Sequence, residues 1–323
     1  MENNIQRIAV LTSGGDAPGM NAAVRAVTRT AASKNLRIFG VLRGFYGLLY
    51  RDIIELSVNG VGDIIHRGGT ILRTSRVKEF RDQKMRGEAI RTLEAFGIEG
   101  LVIIGGNGSL CGGRELARLG VKVAGIPASI DNDVFGTDLS IGFDTAVNTV
   151  LEAINRIRDT ATSHERIFII EVMGRESGQI ALAAGLAGGA ESILVPELPF
   201  DIHEIVDRIN QGIARGKLHS IIVVAEGCCS GLSLGKEIER LSRHETRVTV
   251  LGHTQRGGTP TAIDRNLASR MGARAVEWLT EGRHHLMVGL QAGHLVPVSL
   301  EDVVKGTKEL DLEQVELARI LAR

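Results

Sequence analysis

Short apolar, β-branched runs recur along the chain, and most are separated by segments whose apolar residues return at helical spacing. The runs are RIAVLT (7–12), RIFGVL (37–42), GLVIIG (100–105), KVAGIP (122–127), RIFIIEVMG (166–174), ESILVP (191–196), SIIVVAEG (220–227) and RVTVLGH (247–253). Consecutive apolar positions in so short a run predict a strand buried on both faces. The clearest helix is predicted over 144–160, where Val147, Val150, Leu151, Ile154 and Ile157 follow the i, i+3, i+4, i+7 order. Alternation of this kind predicts a mostly parallel sheet covered by helices. The expected fold class is α/β, with two Rossmann-like three-layer α/β/α lobes. About four or five strands fall before residue 140 and three or four after it, which sets a boundary near 138–145. The expected lobes are 1–141 plus about 255–305, and 142–254 plus about 306–323.

Four of the eight runs end in glycine or histidine, and ligands of parallel sheets bind outside the carboxyl ends of the strands. Two glycine turns follow strands there: TSGGDAPGMN (12–21) and GGNGSLCGG (105–113). Without a Cβ, their backbone N–H groups can approach phosphate oxygens, and a following helix adds its positive end. The plainer account of either turn is tight packing. Neither is a Walker A loop, because GxxxxGK[ST] does not occur in the chain. The spacing Gly106 to Gly112 is near a dinucleotide fingerprint, but the place for a ribose-binding acid holds IPASID. A nucleotide-dependent oxidoreductase is therefore the weaker reading.

PASIDNDVFGTD (127–138) brings Asp131, Asp133 and Asp138 just past a strand end. Acids two apart on an extended segment face opposite sides, so one can meet a hydroxyl substrate and the other a metal. The alternative is a solvated Asx turn. Other strand ends offer Glu171, Met173, Gly174 and Arg175, then Glu226, then His253 and Arg256. Arginines gathered at strand ends suit an anionic small molecule. Arg25 and Arg29, four apart on the helix after the first glycine turn, form a second candidate anion site or an exposed face.

Composition narrows the partners. The chain has 323 residues, 43% hydrophobic, enough for two domains or one large one. Zero net charge and 3% aromatics argue against nucleic acid. Cys111, Cys228 and Cys229 make neither a CxxC pair nor an even-numbered disulfide framework, which suits a reducing cytosol. The start lacks the build of a signal peptide, and GQIALAAGLAGGAESILV is glycine-rich and interrupted by Glu191. No membrane span is expected.

Taken together, LTSGGDAPGMNAA, IDNDVFGTD, IGFDTAVNT, EVMGR, AGGAE and LGHTQRGG resemble the signatures of the bacterial ATP-dependent 6-phosphofructokinase family, essentially end to end. The resemblance implies a cytoplasmic homotetramer that uses Mg²⁺ and ATP to phosphorylate fructose 6-phosphate at O1. It implies nucleotide contacts from Gly15, Arg76, Val77, Asn107, Gly108, Ser109 and Gly112. Asp131 would be the general base, with Ser129, Asp133 and Arg175 beside the transferred group. Met173, Gly174, Arg175 and Glu226 would hold the sugar, and His253 and Arg256 its phosphate. Arg166 and Arg247 would reach a neighbouring subunit's sugar phosphate. Arg25, Arg29, Arg158, Arg215, Lys217 and Glu191 would meet an effector, ADP or phosphoenolpyruvate.

Several positions depart from the family pattern. Its loop usually reads GGDG, with the aspartate helping to hold Mg²⁺; here the residue is Asn107, leaving Asp133 as the acidic metal-side group. This predicts weakened Mg²⁺ dependence or low turnover, and admits a weakly active or non-catalytic regulatory paralogue. Pyrophosphate-using relatives usually carry Asp at the position of Gly108 and Lys at that of Ala128, so ATP is the expected donor and pyrophosphate the alternative. Val77 stands where an aromatic often flanks adenine, and Val58 where some members place an effector arginine.

Overall fold

The computed structural model describes residues 5–75, 77, 80 and 82–322. In chain order the elements are β1 (Arg7–Ser13), α1 (Met20–Ser33), β2 (Arg37–Val41), α2 (Phe45–Tyr50), β3 (Ile53–Glu55), α3 (Gln83–Ala95), β4 (Gly100–Gly105), α4 (Asn107–Arg118) and β5 (Lys122–Pro127). Then follow α5 (Phe143–His164), β6 (Ile167–Val172), α6 (Gln179–Ala187), β7 (Ser192–Leu194), α7 (Ile202–Ala214), β8 (Ser220–Ala225), α8 (Gly231–Ser242) and β9 (Thr246–Val250). The last are α9 (Ala262–Thr280), β10 (Leu286–Gln291), β11 (His294–Ser299), α10 (Leu300–Lys305) and α11 (Leu312–Leu321). Two compact units form. The first holds the residues up to Ser129, Asp133–Asp144 and Arg256–Lys308; the second holds Ile130–Asn132, Thr145–Gln255 and the chain from Glu309. Residues 130–132, read from the sequence as part of the first lobe, thus pack with the second unit.

The first unit is built on a seven-stranded sheet in the order β11-β10-β5-β4-β1-β2-β3. Its centre is parallel: Val10 of β1 pairs with Val102 of β4, and Ile103 of β4 with Gly125 of β5. All six residues of β4 are buried, as a strand covered on both faces requires. Ala9, Leu11, Leu101 and Ile103 face a core shared with Leu48 of α2, Leu93 of α3, Leu110 of α4 and Val303 of α10. Ile8 points the other way and meets the side of the sheet where Leu279 of α9 lies. There α9 crosses α1 closely: a Cβ on Gly272 would stand 2.7 Å from the Cβ of Ala26.

Every predicted run is a strand here, but more strands follow residue 140 than the pattern predicts. β10 and β11 return to the first sheet, β10 parallel to β5 and β11 antiparallel to β10. Their sequence hides them. The connecting turn is Ala292-Gly293, both at positive φ (48° and 82°), the geometry of a tight hairpin without its usual Asn-Gly or Asp-Gly marker. Pro297 interrupts β11, which is tolerable only because β11 is an edge strand.

The second unit has a four-stranded parallel sheet, β7-β8-β6-β9. Ile169 of β6 pairs with Ile222 of β8 and Val248 of β9. Ile167, Ile169, Ile222 and Val224 pack against Ile205 and Ile209 of α7 and Leu234 and Ile238 of α8. The helix expected over 144–160 is α5; Ala146, Val150, Ile154 and Ala161 are fully buried, with Val147, Leu151 and Ile157 half-buried beside them. Among the described residues no helix is long and apolar enough to cross a membrane.

Candidate functional site

In the first unit, β1 delivers Gly14 and Gly15 to the first glycine turn. Gly14 adopts φ 88°, which a side chain would strain. A Cβ on Gly15 would lie 2.3 Å from Nη1 of Arg256, and that nitrogen donates to the Asp16 carbonyl at 3.2 Å. The guanidinium therefore lies directly on the turn, so backbone amides and a fixed cation share one place. Gly19 caps α1 in the left-handed region with no side-chain bond to its first amides. Asn21, almost fully buried, donates to the carbonyls of Arg67 and Gly68 and accepts from the Ile71 N–H at 2.8 Å. The Thr74 hydroxyl donates to the Gly14 carbonyl at 2.7 Å. These bonds fix the segment leading to Arg76, which lies outside the described residues. Val77 packs against the first unit's core.

The second glycine turn opens α4 at an extended Gly106. The leading amides of α4 present its positive end. A Cβ on Gly105 would lie 2.5 Å from the Ser13 carbonyl, so the two strand ends can approach only with glycine there. A Cβ on Gly108 would meet nothing within 4 Å, which leaves open room over the turn. Gly112 has a packing reason of its own, because a Cβ there would sit 2.6 Å from the Phe45 ring. Ser109 is buried, and its N–H donates to the Gly106 carbonyl at 2.9 Å.

Asn107 meets Asp133. Its Nδ2 donates to Asp133 Oδ2 at 2.9 Å and to the Asp133 carbonyl at 3.2 Å. The Ser129 hydroxyl donates to the other carboxylate oxygen, Oδ1, at 3.1 Å. Both oxygens of Asp133 are thus held by neutral donors, which aim the carboxylate. Asp138 serves the fold instead. Its Oδ2 accepts from the Ala292 N–H at 2.8 Å and so holds the β10–β11 turn. Lys308 donates to the Asp138 carbonyl at 2.8 Å; burial pushes its pKa down to about 8, against the pull of Asp138 and Asp133. The segment is not extended throughout, since Asn132 is left-handed with φ 50°. That reversal lets Asp131 and Asp133 belong to different units.

Asp131 is buried in the second unit, 4% exposed. Arg175 Nε stands 3.6 Å from its Oδ2, and the Ser177 hydroxyl donates to its carbonyl at 3.1 Å. Arg175 follows β6 on a turn with no slack. Its N–H donates to Glu226 Oε1 at 3.0 Å, and a Cβ on Gly227 would collide with its carbonyl at 1.7 Å. Gly174 has φ 145° with the Ser177 carbonyl against it. Met173, Gly174, Arg175 and Glu226 therefore form one turn-on-turn assembly. Gln255, a residue within LGHTQRGG that sequence reasoning passes over, locks it. Fully buried, Gln255 accepts from the Met173 N–H at 3.3 Å and donates to the Gly252 carbonyl at 3.1 Å. His253 is exposed on the same helical turn, Gly252–Arg256. Glu171 serves structure, accepting from the Gly231 N–H at the start of α8 at 2.7 Å.

Arg166 and Arg247 share one carboxylate, the exposed Glu245, which sequence reasoning also misses. Arg166 Nε donates to Oε2 at 2.6 Å and Arg247 to Oε1, and the Arg166 bond chiefly holds the Glu245 carboxyl below its usual range. Of the effector candidates, Arg25 and Arg29 lie on α1 in the first unit, Arg25 half-buried and Arg29 exposed. In the second unit Glu191 is buried; it bonds Lys217 Nζ at 2.5 Å and accepts from the Ile221 N–H at 2.5 Å. Arg158 donates to the Gly188 carbonyl, and Arg215 is exposed. His219 joins this group unpredicted. Its Nδ1 meets the Thr162 hydroxyl at 3.2 Å, and burial, with Arg158 and Lys217, holds its pKa below the ordinary value against the opposing pull of Glu191. Val58 is exposed.

Glycine turns at the ends of parallel strands, one bearing a guanidinium and one a held carboxylate, define an α/β protein equipped for phosphate chemistry. Comparison with known proteins makes the class specific. The family model for phosphofructokinase matches residues 7–279. An ATP-dependent 6-phosphofructokinase of Natranaerobius thermophilus is 53% identical over 318 residues, 98% of this chain and 100% of the relative. One of Bacillus pumilus is 54% identical with the same coverage. The solved structure of phosphofructokinase from Saccharomyces cerevisiae superposes with a TM-score of 0.87 at 35% identity, covering 93% of this chain and 45% of the yeast chain. The chain belongs to the phosphofructokinase family.

Proposed function

We propose that this chain is an ATP-dependent 6-phosphofructokinase, transferring the γ-phosphoryl group of ATP to O1 of fructose 6-phosphate. The relatives that share its full length carry that name. The observation that carries the reading is Asp131, a buried carboxylate beside Arg175 and tied to the Met173–Arg175 turn.

The roles divide by unit. In the first, the amides after Gly14 and Gly106, with Arg76 and Ser109, receive the nucleotide's phosphates. The empty space over Gly108 suits a bulky donor, which favours ATP over pyrophosphate. In the second, Asp131 accepts the proton of the attacking hydroxyl. A positioned base of this kind contributes about 10²–10⁴-fold. Arg175 faces charge on the transferred group, which needs positive neighbours rather than covalent help. Met173, Gly174 and Glu226 seat the sugar, with His253 for its phosphate; Arg256, assigned to the same phosphate, belongs to the first unit. Arg166 and Arg247 serve the sugar phosphate of a neighbouring subunit in a homotetramer, and Arg25, Arg29, Arg158, Glu191, Arg215 and Lys217 an effector such as ADP or phosphoenolpyruvate.

The residues fit Mg²⁺. Asp133 is a hard oxygen ligand with both oxygens held by neutral donors, and Mg²⁺ commonly takes one or two carboxylates together with substrate phosphates. Bound there, the ion would supply positive charge to the phosphate oxygens. Asn107 orients Asp133 and Ser129 shares the same carboxylate. A coupled assay with ATP, Mg²⁺ and fructose 6-phosphate, beside a pyrophosphate arm, tests the proposal. Fructose 1,6-bisphosphate formed from ATP is expected; faster turnover with pyrophosphate, or none with either donor at single-turnover enzyme concentrations, refutes it.

A further inference from the structure

A cavity of about 870 Å³ lies in the second unit, bordered by both α7 and α11. Its apolar wall includes Leu194, Val195, Phe200, Ile205 and Val315. Beside that wall α7 presents Glu204 and Arg208 to the same space. A glutamate four residues ahead of an arginine is the spacing that best forms an ion pair along a helix. These two do not pair. Arg208 Nη1 instead donates to the Glu191 carbonyl at 3.0 Å and to the Ser192 hydroxyl at 3.2 Å. Among the described residues neither Glu204 nor Arg208 joins an ion pair. Arg208 is half-buried and held in place by neutral acceptors, so its charge is unmatched; Glu204 is exposed. We propose that this cavity binds an apolar α-amino acid as its zwitterion, with the carboxylate on Arg208, the ammonium on Glu204 and the side chain against the apolar wall.

The fit is one of spacing and of sign. Four residues of α-helix rise ~6 Å, so the two charges stand one turn apart on one face. The ammonium and carboxylate of an α-amino acid share a single carbon, which lets one small head group meet both. A guanidinium held before the ligand arrives loses little freedom on binding it. Pockets of about 300–1,000 Å³ with an apolar lining and a few placed polar groups are the usual form of small-molecule sites.

Other occupants match less of the cavity. Its lining carries five acids against three arginines, which disfavours a phosphorylated anion. Glu191 and Arg215, proposed above for an effector, touch the cavity, but Arg158 and Lys217 do not line it. The Glu191 carboxylate is already committed to Lys217 and to the Ile221 N–H. An apolar amine would leave Arg208 unmatched, and an apolar carboxylate would leave Glu204 unmatched.

The test titrates the full chain with L-phenylalanine by calorimetry and by equilibrium dialysis. Saturation at one equivalent per chain is expected. Phenethylamine lacks the carboxylate and 3-phenylpropanoate lacks the ammonium; each should bind at least about tenfold more weakly, because one charged hydrogen bond is gone. L-Alanine should also bind at least about tenfold more weakly, for want of apolar area. Arg208→Gln and Glu204→Gln should each weaken L-phenylalanine binding by about tenfold to a hundredfold. Circular dichroism checks the fold of both, and Glu204→Gln, at an exposed position, decides the matter if Arg208→Gln folds poorly. Neither ADP nor phosphoenolpyruvate should displace the amino acid. Absence of saturable binding overturns the proposal. So does equal affinity for any of the three analogues, full affinity in folded Glu204→Gln, or competitive displacement by either phosphorylated compound.

Discussion

Asn107→Asp is the sharpest perturbation of the group proposed to hold Mg²⁺. It replaces a donor that stands 2.9 Å from an Asp133 oxygen with a second carboxylate. A hydrogen bond to a charged acceptor contributes about 1.5–3 kcal/mol, and the variant forfeits it. It also puts like charges roughly 3 Å apart, a repulsion of about 1.4 kcal/mol in water and about 5.5 kcal/mol at an effective dielectric of 20. Asn107 is exposed, so the watery end applies and the repulsion lies near about 1–2 kcal/mol. Without Mg²⁺ the variant should therefore unfold at lower temperature. With Mg²⁺ and ATP the order reverses, because two carboxylates face the ion. The Mg²⁺ concentration for half-maximal turnover should fall by about tenfold or more. Turnover should rise, up to the ~10²–10³ that one electrostatic stabiliser supplies at a transition state. Two measurements decide it: thermal unfolding with and without Mg²⁺, and a coupled assay titrated with Mg²⁺. If unfolding and Mg²⁺ dependence both match the parent chain, Asn107 does not govern the metal-side charge and the reasoning is wrong.

Asp131→Asn should lower kcat by about 10²–10⁴ with little change in KM for fructose 6-phosphate; a parent-like kcat in steady-state assay contradicts its role as base. Gln255→Leu strands the Met173 N–H and Gly252 carbonyl in a buried place, at about 1–3 kcal/mol, and loosens the turn proposed to seat the sugar. Urea unfolding should report the loss, with KM for fructose 6-phosphate rising more than kcat falls. Lys308 titrates near 8 in the fold against about 10.4 in a free chain, so between those pH values the unfolded chain binds more protons. Stability should rise with pH across that window, by no more than about 1–2 kcal/mol because the side chain keeps some solvent. In Lys308→Gln the rise should vanish from the pH dependence of urea midpoints.

The parts of this fold that are legible in the sequence are those whose physics is local. β4 and β8 are apolar at nearly every position because both faces are covered, and such runs announce themselves. α5 announces itself through Val150 and Ile154 at one-turn spacing. β10 and β11 do not, because β11 is a half-exposed edge and their hairpin turns on Ala292, an unusual residue for positive φ. The site divides in the same way. Glycine turns and acids are visible as residue types at strand ends. Their partners are not, because partnership is set by sheet register across long separations. Arg256 reaches the Asp16 carbonyl from 240 positions away, and Glu226 meets Arg175 from 51 away. Gln255 and Glu245 carry no chemistry a motif search would value; their importance is which groups they hold.

Asn107 shows why that distinction matters for chemistry. Read as a residue type, it is a lost charge, and the expected consequence is a weakened metal site. Read with its partner, it is a donor that fixes one oxygen of Asp133 while Ser129 fixes the other. Two neutral donors fix the carboxylate's orientation, because each holds a different oxygen. One full negative charge, held in place before the nucleotide arrives, replaces two that would repel each other until an ion came between them. The substitution thus exchanges peak electrostatic attraction for a site already organised in the empty protein. The trade predicts a chain that binds Mg²⁺ more weakly, and whose metal-free form is more stable, than an aspartate-bearing version of itself.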